Sequence, residues 1–202
     1  TSTYTTRQQR WEAMSRGIDI DSSRISIHDL HLTGVDVNTG GGVQRLTVDG
    51  VMSRSRNDSI RLNLDNFDLS PLSALVKRWG YDFRARSNGY VSVKSALKGQ
   101  AVDAQIRLDS IAVNGARTNS QLISSKWDFV RDRAYVLVSD TKRQDTVIRG
   151  YYQPTGKRYL ANAKIDGVPM SLISPFLTGI ISDIEGTADV DVSIEGAGRQ
   201  AK

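Results

Sequence analysis

The stretch Gly186-Thr187-Ala188-Asp189-Val190-Asp191-Val192-Ser193-Ile194-Glu195-Gly196 decides the fold of this chain. Its apolar residues occupy every second position, its polar residues lie between them, and a glycine stands at each end. Because successive side chains of a β-strand point to opposite faces, the pattern predicts a strand with one apolar and one polar face. Similar alternation recurs through most of the chain.

A second copy of this stretch lies about 100 residues earlier. Gly89–Gly99 has the same glycine ends and the same alternation. Upstream of each copy, Asn63–Leu72 aligns with Lys164–Ile173, and both segments run from a strand through an aspartate turn and an apolar pair to a serine. The matches predict a repeated unit of strand, short helix and strand, with copies at residues 60–99 and 164–196.

Short helices are predicted at three places. In Ser70–Trp79 a serine precedes a proline, apolar residues follow at i, i+3, i+4 and i+7, and Gly80 is the stop. The second repeat copy carries a similar apolar helix that opens at Ser171. Thr6–Arg16 is the third candidate, with a threonine cap and a glycine stop.

Strand signals separated by turn residues fill most of the remaining sequence. The predicted strands lie within 17–37 and at 45–52, 59–64, 89–97, 101–108, 111–114, 120–130, 134–139, 146–152 and 158–165. Only three of the 22 acidic residues are glutamates, and aspartate favours turns over helices. The sequence therefore predicts a mainly β fold of consecutive antiparallel strands.

Composition excludes several functional classes. The 202 residues are 39% hydrophobic, enough for one core or two small ones. The chain has no cysteine and no run of about 18 apolar residues, so it predicts neither thiolate chemistry nor a membrane-spanning helix. The net charge of +5 is dispersed and lacks interleaved aromatic residues, so we expect no nucleic-acid partner.

No catalytic or metal-binding pattern stands out. His28 and His31, the two histidines, are three positions apart and so point to opposite faces of a strand. Asp189, Asp191 and Glu195 share a strand face but lack the spacing of a calcium-binding loop. A carboxylate pair for glycoside cleavage stays open, because aspartates are numerous. We expect no enzyme activity, no metal and no cofactor.

The repeated phrase resembles a known family. An [LI]-x-x-[FV]-x-[LM]-S segment leading into an apolar helix, then G-x-[VA]-x-[VA]-x-x-x-[LI]-x-G, is similar to the C-terminal region of the translocation and assembly module subunit TamB, within the AsmA-like group of envelope proteins. The resemblance covers Ile60–Gly99 and Lys164–Gly196. It implies a long curved antiparallel sheet folded into an open groove, a β-taco or β-roll, with two or three short helices.

The resemblance also implies a function and a location. Such proteins are anchored in the inner membrane of Gram-negative bacteria, cross the periplasm, and serve lipid transport and outer-membrane protein assembly. Residues 1–202 would then be a single β-rich fragment of a longer protein whose remainder holds the anchor. The expected partners are phospholipid acyl chains and an outer-membrane assembly partner or client protein.

The apolar strand rows would line such a groove and the helices would cap it. The predicted lining residues are Val91, Val93, Leu97, Ile106, Leu108, Val136, Val138, Val190, Val192 and Ile194. The predicted capping residues are Leu72, Leu75, Val76, Trp79, Phe176, Leu177 and Ile180. Each buried methylene contributes about 0.8 kcal/mol, so roughly ten carbons would hold an acyl chain without a polar contact.

Other interpretations of the same pattern stay open. The apolar rows could fill a closed core instead of lining a groove. Open sheet edges could pair with strands of outer-membrane client proteins. An extracellular adhesin or carbohydrate-binding β-sandwich would expose aromatic platforms, whereas Trp11, Trp79 and Trp127 lie in predicted helices and mixed strands. A parallel β-helix lyase fits less well, since its rungs are much shorter than this repeat.

Overall fold

The fold is mainly β, as the alternation predicts. A computed structural model describes residues 2–5, 9–36, 42–94, 101–170, 186–198 and 200–201. The strands are β1 Ser2–Thr5, β2 Gln9–Met14, β3 Gly17–Asp21, β4 Arg24–Asp36, β5 Gln44–Met52, β6 Ser59–Asp68, β7 Phe83–Lys94, β8 Ala101–Val113, β9 Ala116–Arg117, β10 Gln121–Asp128, β11 Arg133–Asp140, β12 Thr146–Gln153, β13 Arg158–Pro169, β14 Thr187–Ala197 and β15 Gln200–Ala201. The described helical pieces are α1 Ser73–Val76 and the 3-10 turns Ser70–Leu72, Lys77–Trp79 and Thr155–Lys157.

The strand order follows the chain. Strands hydrogen-bond in the order β1-β2-β4-β5-β6-β7-β8-β10-β11-β12-β13-β14-β15, with β3 beside β4 and β9 beside β8. In the part of the chain that the structure describes, the two ends of this order are not paired with each other. The open, consecutive antiparallel sheet confirms the predicted fold class.

The chain divides into two compact units. Unit 1 comprises residues 1–67 and 87–106, and unit 2 comprises residues 68–86 and 107–202. The buried apolar side chains of unit 1 are Val48, Ile60 and Ala101, and those of unit 2 are Ala85, Ile111 and Val147. Most other apolar side chains of the described strands are half-buried or exposed.

The predicted helix at Ser70–Trp79 is present, as α1 between two 3-10 turns. Gly80 ends it with φ of 84°, so the predicted glycine stop is confirmed. The start differs from the prediction, because the carboxylate of Asp68 accepts hydrogen bonds from the N–H of Ser70 at 2.9 Å and from its hydroxyl at 2.6 Å. Leu69 occupies the N-cap position without a side-chain cap, and Asp68 instead satisfies the first main-chain donor of the helix. The predicted helix after Ser171 lies outside the described residues.

The predicted helix at Thr6–Arg16 is wrong, because Gln9–Met14 is strand β2. This strand pairs with β1 and β4, and Trp11 lies opposite Gly34. A Cβ on Gly34 would come within 2.9 Å of the Trp11 ring. The centroid of that ring lies 6.1 Å from the centroid of the Phe67 ring. Two main-chain ladders and this packing outweigh a helix signal that rests on local propensity alone.

Several strand boundaries also differ from the prediction, and β6 and β13 each continue four residues past their predicted ends. β7 begins at Phe83 rather than at Gly89. β8 runs unbroken to Val113 through Ser110, whose φ is 52°. A residue with positive φ can form a bulge inside a strand, so it need not end the strand.

Three strand residues with positive φ are held by the same kind of hydrogen bond. Each has a φ between 48° and 67°, and its N–H donates to a side-chain oxygen on the next strand of the sheet. The pairs are Asp29 with Asp49 at 3.1 Å, Asn66 with Asn88 at 2.8 Å, and Gly167 with Asp189 at 2.9 Å. Because a residue outside the regular ladder leaves its main-chain donor unpaired, these side chains satisfy that donor and fix the position of the irregularity.

Two of these hydrogen bonds show how the repeat copies correspond. Each residue of the Gly167 pair lies 101 positions after its counterpart in the Asn66 pair. At the same offset, the N–H of Leu69 donates to Ala85 O and the N–H of Met170 donates to Gly186 O, both at 2.9 Å. The returning strands therefore align at an offset of 101, which places Gly186 with Ala85 rather than with Gly89.

Candidate functional site

Unit 2 presents one apolar sheet face. Directly opposite residues of an antiparallel pair place their side chains on the same face, so the registers of β10 to β14 define rows across the sheet. One row is Ile123, Val138, Ile148, Ala163 and Val192, and the next is Ser125, Val136, Gly150, Ala161 and Ile194. This face is therefore largely apolar across five strands.

The opposite face of the same strands is largely polar. One of its rows is Ser124, Leu137, Arg149, Asn162 and Ser193. On the apolar face, by contrast, Val192 is 42% exposed and Ile194 is 43% exposed. The apolar face is thus partly open to solvent in the described chain, which a closed core would not allow at these positions.

A half-open cavity of about 490 Å³ lies where the apolar face meets the end of β13. Its apolar lining consists of Leu108, Ile111, Val113, Ile123, Val138, Val147, Ile148, Ile165, Val168 and Pro169. Its polar lining consists of Arg117, Thr118, Asn119, Gln121, Asp140, Arg143, Asp166 and Gly167. Small-molecule sites commonly have volumes of about 300–1,000 Å³, mostly apolar walls and a few polar groups.

Asp140 organises the polar rim of this cavity. Its Oδ1 accepts hydrogen bonds from the N–H groups of Lys142 at 2.8 Å and Arg143 at 3.0 Å, and its Oδ2 accepts one from Asn119 Nδ2 at 2.8 Å. Burial alone would raise the pKa of Asp140, but these hydrogen bonds and the Arg143 charge outweigh it and lower the pKa. The carboxylate is therefore ionised and engaged by the protein's own donors.

Arg143 joins the β11–β12 turn to the bulge in β13. Its Nη1 donates to Asp166 O at 3.3 Å, and its Nη2 would lie 3.9 Å from a Cβ on Gly167. The bulge falls between Ile165 and Val168, where the β13–β14 register shifts. The guanidinium thus lies beside the backbone that forms one wall of the cavity.

A buried acceptor also borders the cavity. Gln121 Nε2 donates to Asn119 O at 3.3 Å, while Gln121 Oε1 has no hydrogen-bond partner in the described chain. An unsatisfied buried acceptor costs about 1–3 kcal/mol. Native structures carry few such atoms, and a bound water or ion often satisfies them.

The first repeat copy fills the equivalent position with an aromatic side chain. At the offset of 101, Val168 corresponds to Phe67, whose ring packs against Trp11 within unit 1. Valine lacks four of the side-chain carbons of phenylalanine. The second copy therefore has a small side chain where its cavity lies.

The structure brings some of the predicted lining residues together. Leu108 and Val138 line the cavity, and Val136, Val190, Val192 and Ile194 share its sheet face. Val91, Val93 and Ile106 are half-buried residues of unit 1. Leu97 lies outside the described residues.

Sequence reasoning missed most of the cavity wall. Ile111, Ile123, Ile148 and Ile165 each lie in a predicted strand, at an apolar position of the alternation. Val147 is buried because the β11–β12 pairing has a bulge between Val138 and Ser139. Alternation could have selected the four isoleucines, but no local pattern marks a bulge.

The predicted capping residues are only partly described. Leu72 is 49% exposed and Leu75 is 65% exposed, and Val76 is half-buried. The Trp79 side chain, Phe176, Leu177 and Ile180 lie outside what the structure describes. In this structure the two exposed leucines do not cover the cavity of unit 2, whose lining includes neither of them.

The two histidines lie at the surface. Both are exposed on β4, and His28 Nε2 lies 3.2 Å from Asp19 Oδ2. Within the described residues, no group of three or more histidine, aspartate and glutamate side chains is arranged to hold a metal ion. None of the described helices is long and apolar enough to cross a membrane.

The chain matches no protein-family model, no curated protein and no solved structure. The functional assignment therefore rests on the cavity and the sheet face of unit 2.

Proposed function

We propose that this chain is a non-enzymatic module of the cell envelope whose apolar surface shields lipid acyl chains. In this proposal it is a TamB-like, AsmA-like protein that works in the periplasm of a Gram-negative bacterium. It would bind acyl chains in transit between the inner and outer membranes and so support outer-membrane biogenesis.

The cavity of about 490 Å³ and its apolar wall carry the proposal. The ten apolar side chains of the wall offer contact to a methylene chain, and the exposed Val192 and Ile194 extend the same face beyond the cavity. Burying one methylene contributes about 0.8 kcal/mol, so a chain laid along this surface gains affinity carbon by carbon. This chemistry needs no nucleophile, general base or metal.

A chain-length series tests the proposal. We expect saturated fatty acids to displace a fluorescent fatty acid with a Kd that falls about fourfold for each added methylene until the cavity is filled. Native mass spectrometry then detects one bound acyl chain. Affinity that does not depend on chain length, or no binding in either assay, would contradict the proposal.

Two adjacent residues of β11 provide a matched pair of variants. Val138 lines the cavity, while Leu137 is 42% exposed on the opposite face. Val138→Ser should weaken binding by about 1 kcal/mol or more, at least roughly fivefold, because a single hydroxyl replaces the two methyl groups of valine. Leu137→Ser should leave affinity unchanged, and thermal unfolding verifies that both variants are folded.

The edge of β14 favours a second candidate function, the pairing of client strands. β14 pairs with β13 at ten positions but with β15 only at Gly196 and Ala197. In the described chain, its other edge over residues 187–195 has no partner strand, and its polar row carries Asp189, Asp191 and Glu195. An extended client peptide could add there, with basic residues opposite the acidic row.

A peptide array distinguishes this second function. Ten-residue peptides that alternate valine with lysine should bind better than peptides that alternate valine with glutamate. If no strand-like peptide binds, or if charge has no effect, edge pairing at β14 is wrong.

A further inference from the structure

Arg143 is a cationic side chain of the cavity lining and has unused hydrogen-bond donors beside the apolar wall. A guanidinium offers five N–H donors, and Arg143 uses one of them, on Asp166 O. Among the described residues Arg143 makes no ion pair. Its other side-chain donors are therefore available to a bound molecule.

The two neighbouring aspartates leave the remaining Arg143 donors available to a ligand. Asp140, the buried carboxylate at the rim, is occupied by the two backbone N–H groups and the Asn119 amide. The exposed Asp166 contributes its main-chain oxygen to Arg143 and forms no ion pair with it. Arg117, the other cation of the lining, adds positive charge.

We infer that the cavity binds the acyl chain of an anionic amphiphile, with the carboxylate or phosphate of the headgroup on the Arg143 guanidinium. Apolar walls hold the chain, and the planar fork of donors matches two oxygens of an anion. The inference rests on the proposed function and adds a preference for headgroup charge, which an acyl-chain groove alone would not have.

Amphiphiles of equal chain length test the preference. The whole 202-residue chain is titrated with dodecyl phosphate, dodecanoate and dodecanol, and separately with inorganic phosphate. We expect the two anionic probes to bind about tenfold tighter than dodecanol at low salt, and the difference to shrink in 1 M salt by screening (about a 3 Å Debye length). Inorganic phosphate should not bind at the same concentrations.

Substitutions assign the preference to Arg143. Arg143→Gln should remove it while leaving dodecanol affinity unchanged, and Arg143→Lys should restore part of it. Arg149→Gln is the matched control, because Arg149 carries the same charge on the polar face of the neighbouring strand. Circular dichroism and thermal unfolding verify that each variant is folded.

The outcomes separate the two proposals. Equal affinity for dodecyl phosphate and dodecanol overturns the headgroup inference but leaves acyl-chain binding standing. Loss of the preference in Arg149→Gln as well as in Arg143→Gln overturns it in favour of a diffuse positive field. Inorganic phosphate that binds as tightly as dodecyl phosphate overturns it in favour of an anion site, and no binding of any amphiphile overturns both proposals.

Discussion

Filling the cavity with the residue of the first repeat copy should abolish most of the acyl-chain binding. Val168 corresponds to Phe67, and Val168→Phe adds four carbon atoms beside a cavity of about 490 Å³. If the ring displaces about four ligand methylenes at about 0.8 kcal/mol each, binding weakens by about 3 kcal/mol, or roughly 200-fold. Because the cavity is half-open, the ligand can shift, so at least a tenfold loss is expected.

The same substitution should not destabilise the fold. Overpacking typically costs about 1–3 kcal/mol in a filled core, but here the ring enters empty space and buries apolar area. We therefore expect the free energy of unfolding to stay the same or to rise. Leu137→Phe is the matched control, since it adds an aromatic ring on the opposite face of the sheet, where Leu137 is 42% exposed.

Fluorescent fatty-acid titration of the parent chain, Val168→Phe and Leu137→Phe measures the binding affinity. Urea unfolding of the same three proteins measures the free energy of unfolding. A folded Val168→Phe protein that binds a twelve-carbon probe within about twofold of the parent chain would refute the reasoning, because the twofold limit corresponds to only about 0.4 kcal/mol. Equal losses in both variants would refute it too, since the effect would then not belong to the cavity.

The remaining predictions concern the rim and a bulge. Asp140→Asn should cost about 1–2 kcal/mol at neutral pH, because an amide nitrogen would face the Asn119 amide. The lowered pKa of Asp140 means that its contribution is present above the ordinary value of 3.8 and is lost as pH falls through the lower folded value. Urea unfolding should therefore show the parent–variant difference shrinking below about pH 4, and a constant difference would contradict the assignment. Gly89→Ala should lower the free energy of unfolding by about 2 kcal/mol or more, because Gly89 has φ of 135° and a Cβ would overlap Gln105 O; an unchanged thermal midpoint would count against this clash.

The general fold could be predicted because strand periodicity is local. Alternation in Thr146–Gln153 and Arg158–Pro169 marks two strands, and the short turn between them makes them antiparallel neighbours. The error at Thr6–Arg16 shows the limit of this reasoning. The helix signal there is also local, but the pairing of β2 with β4 joins residues about 20 positions apart, which no short window contains.

The site was harder to predict than the fold. The apolar rows follow from alternation, and two residues of the predicted lining, Leu108 and Val138, lie in the cavity wall. The rim depends on the hydrogen bonds from Asn119 to Asp140 and from Arg143 to Asp166, which join residues 21 and 23 positions apart in the sequence. The cavity volume depends on the small side chain of Val168. This residue can be recognised as unusual only when the two repeat copies are aligned at the offset of 101 that the hydrogen bonds establish.

The consecutive strand order has a consequence for how the protein reaches its native state. Each strand hydrogen-bonds to strands that are adjacent or nearly adjacent in sequence, and some turns are as short as Ser22–Ser23 between β3 and β4. The entropy of closing such loops is small, and local contacts accelerate folding. The sheet can therefore grow hairpin by hairpin from any completed pair, and a chain released gradually from one end can fold as it emerges.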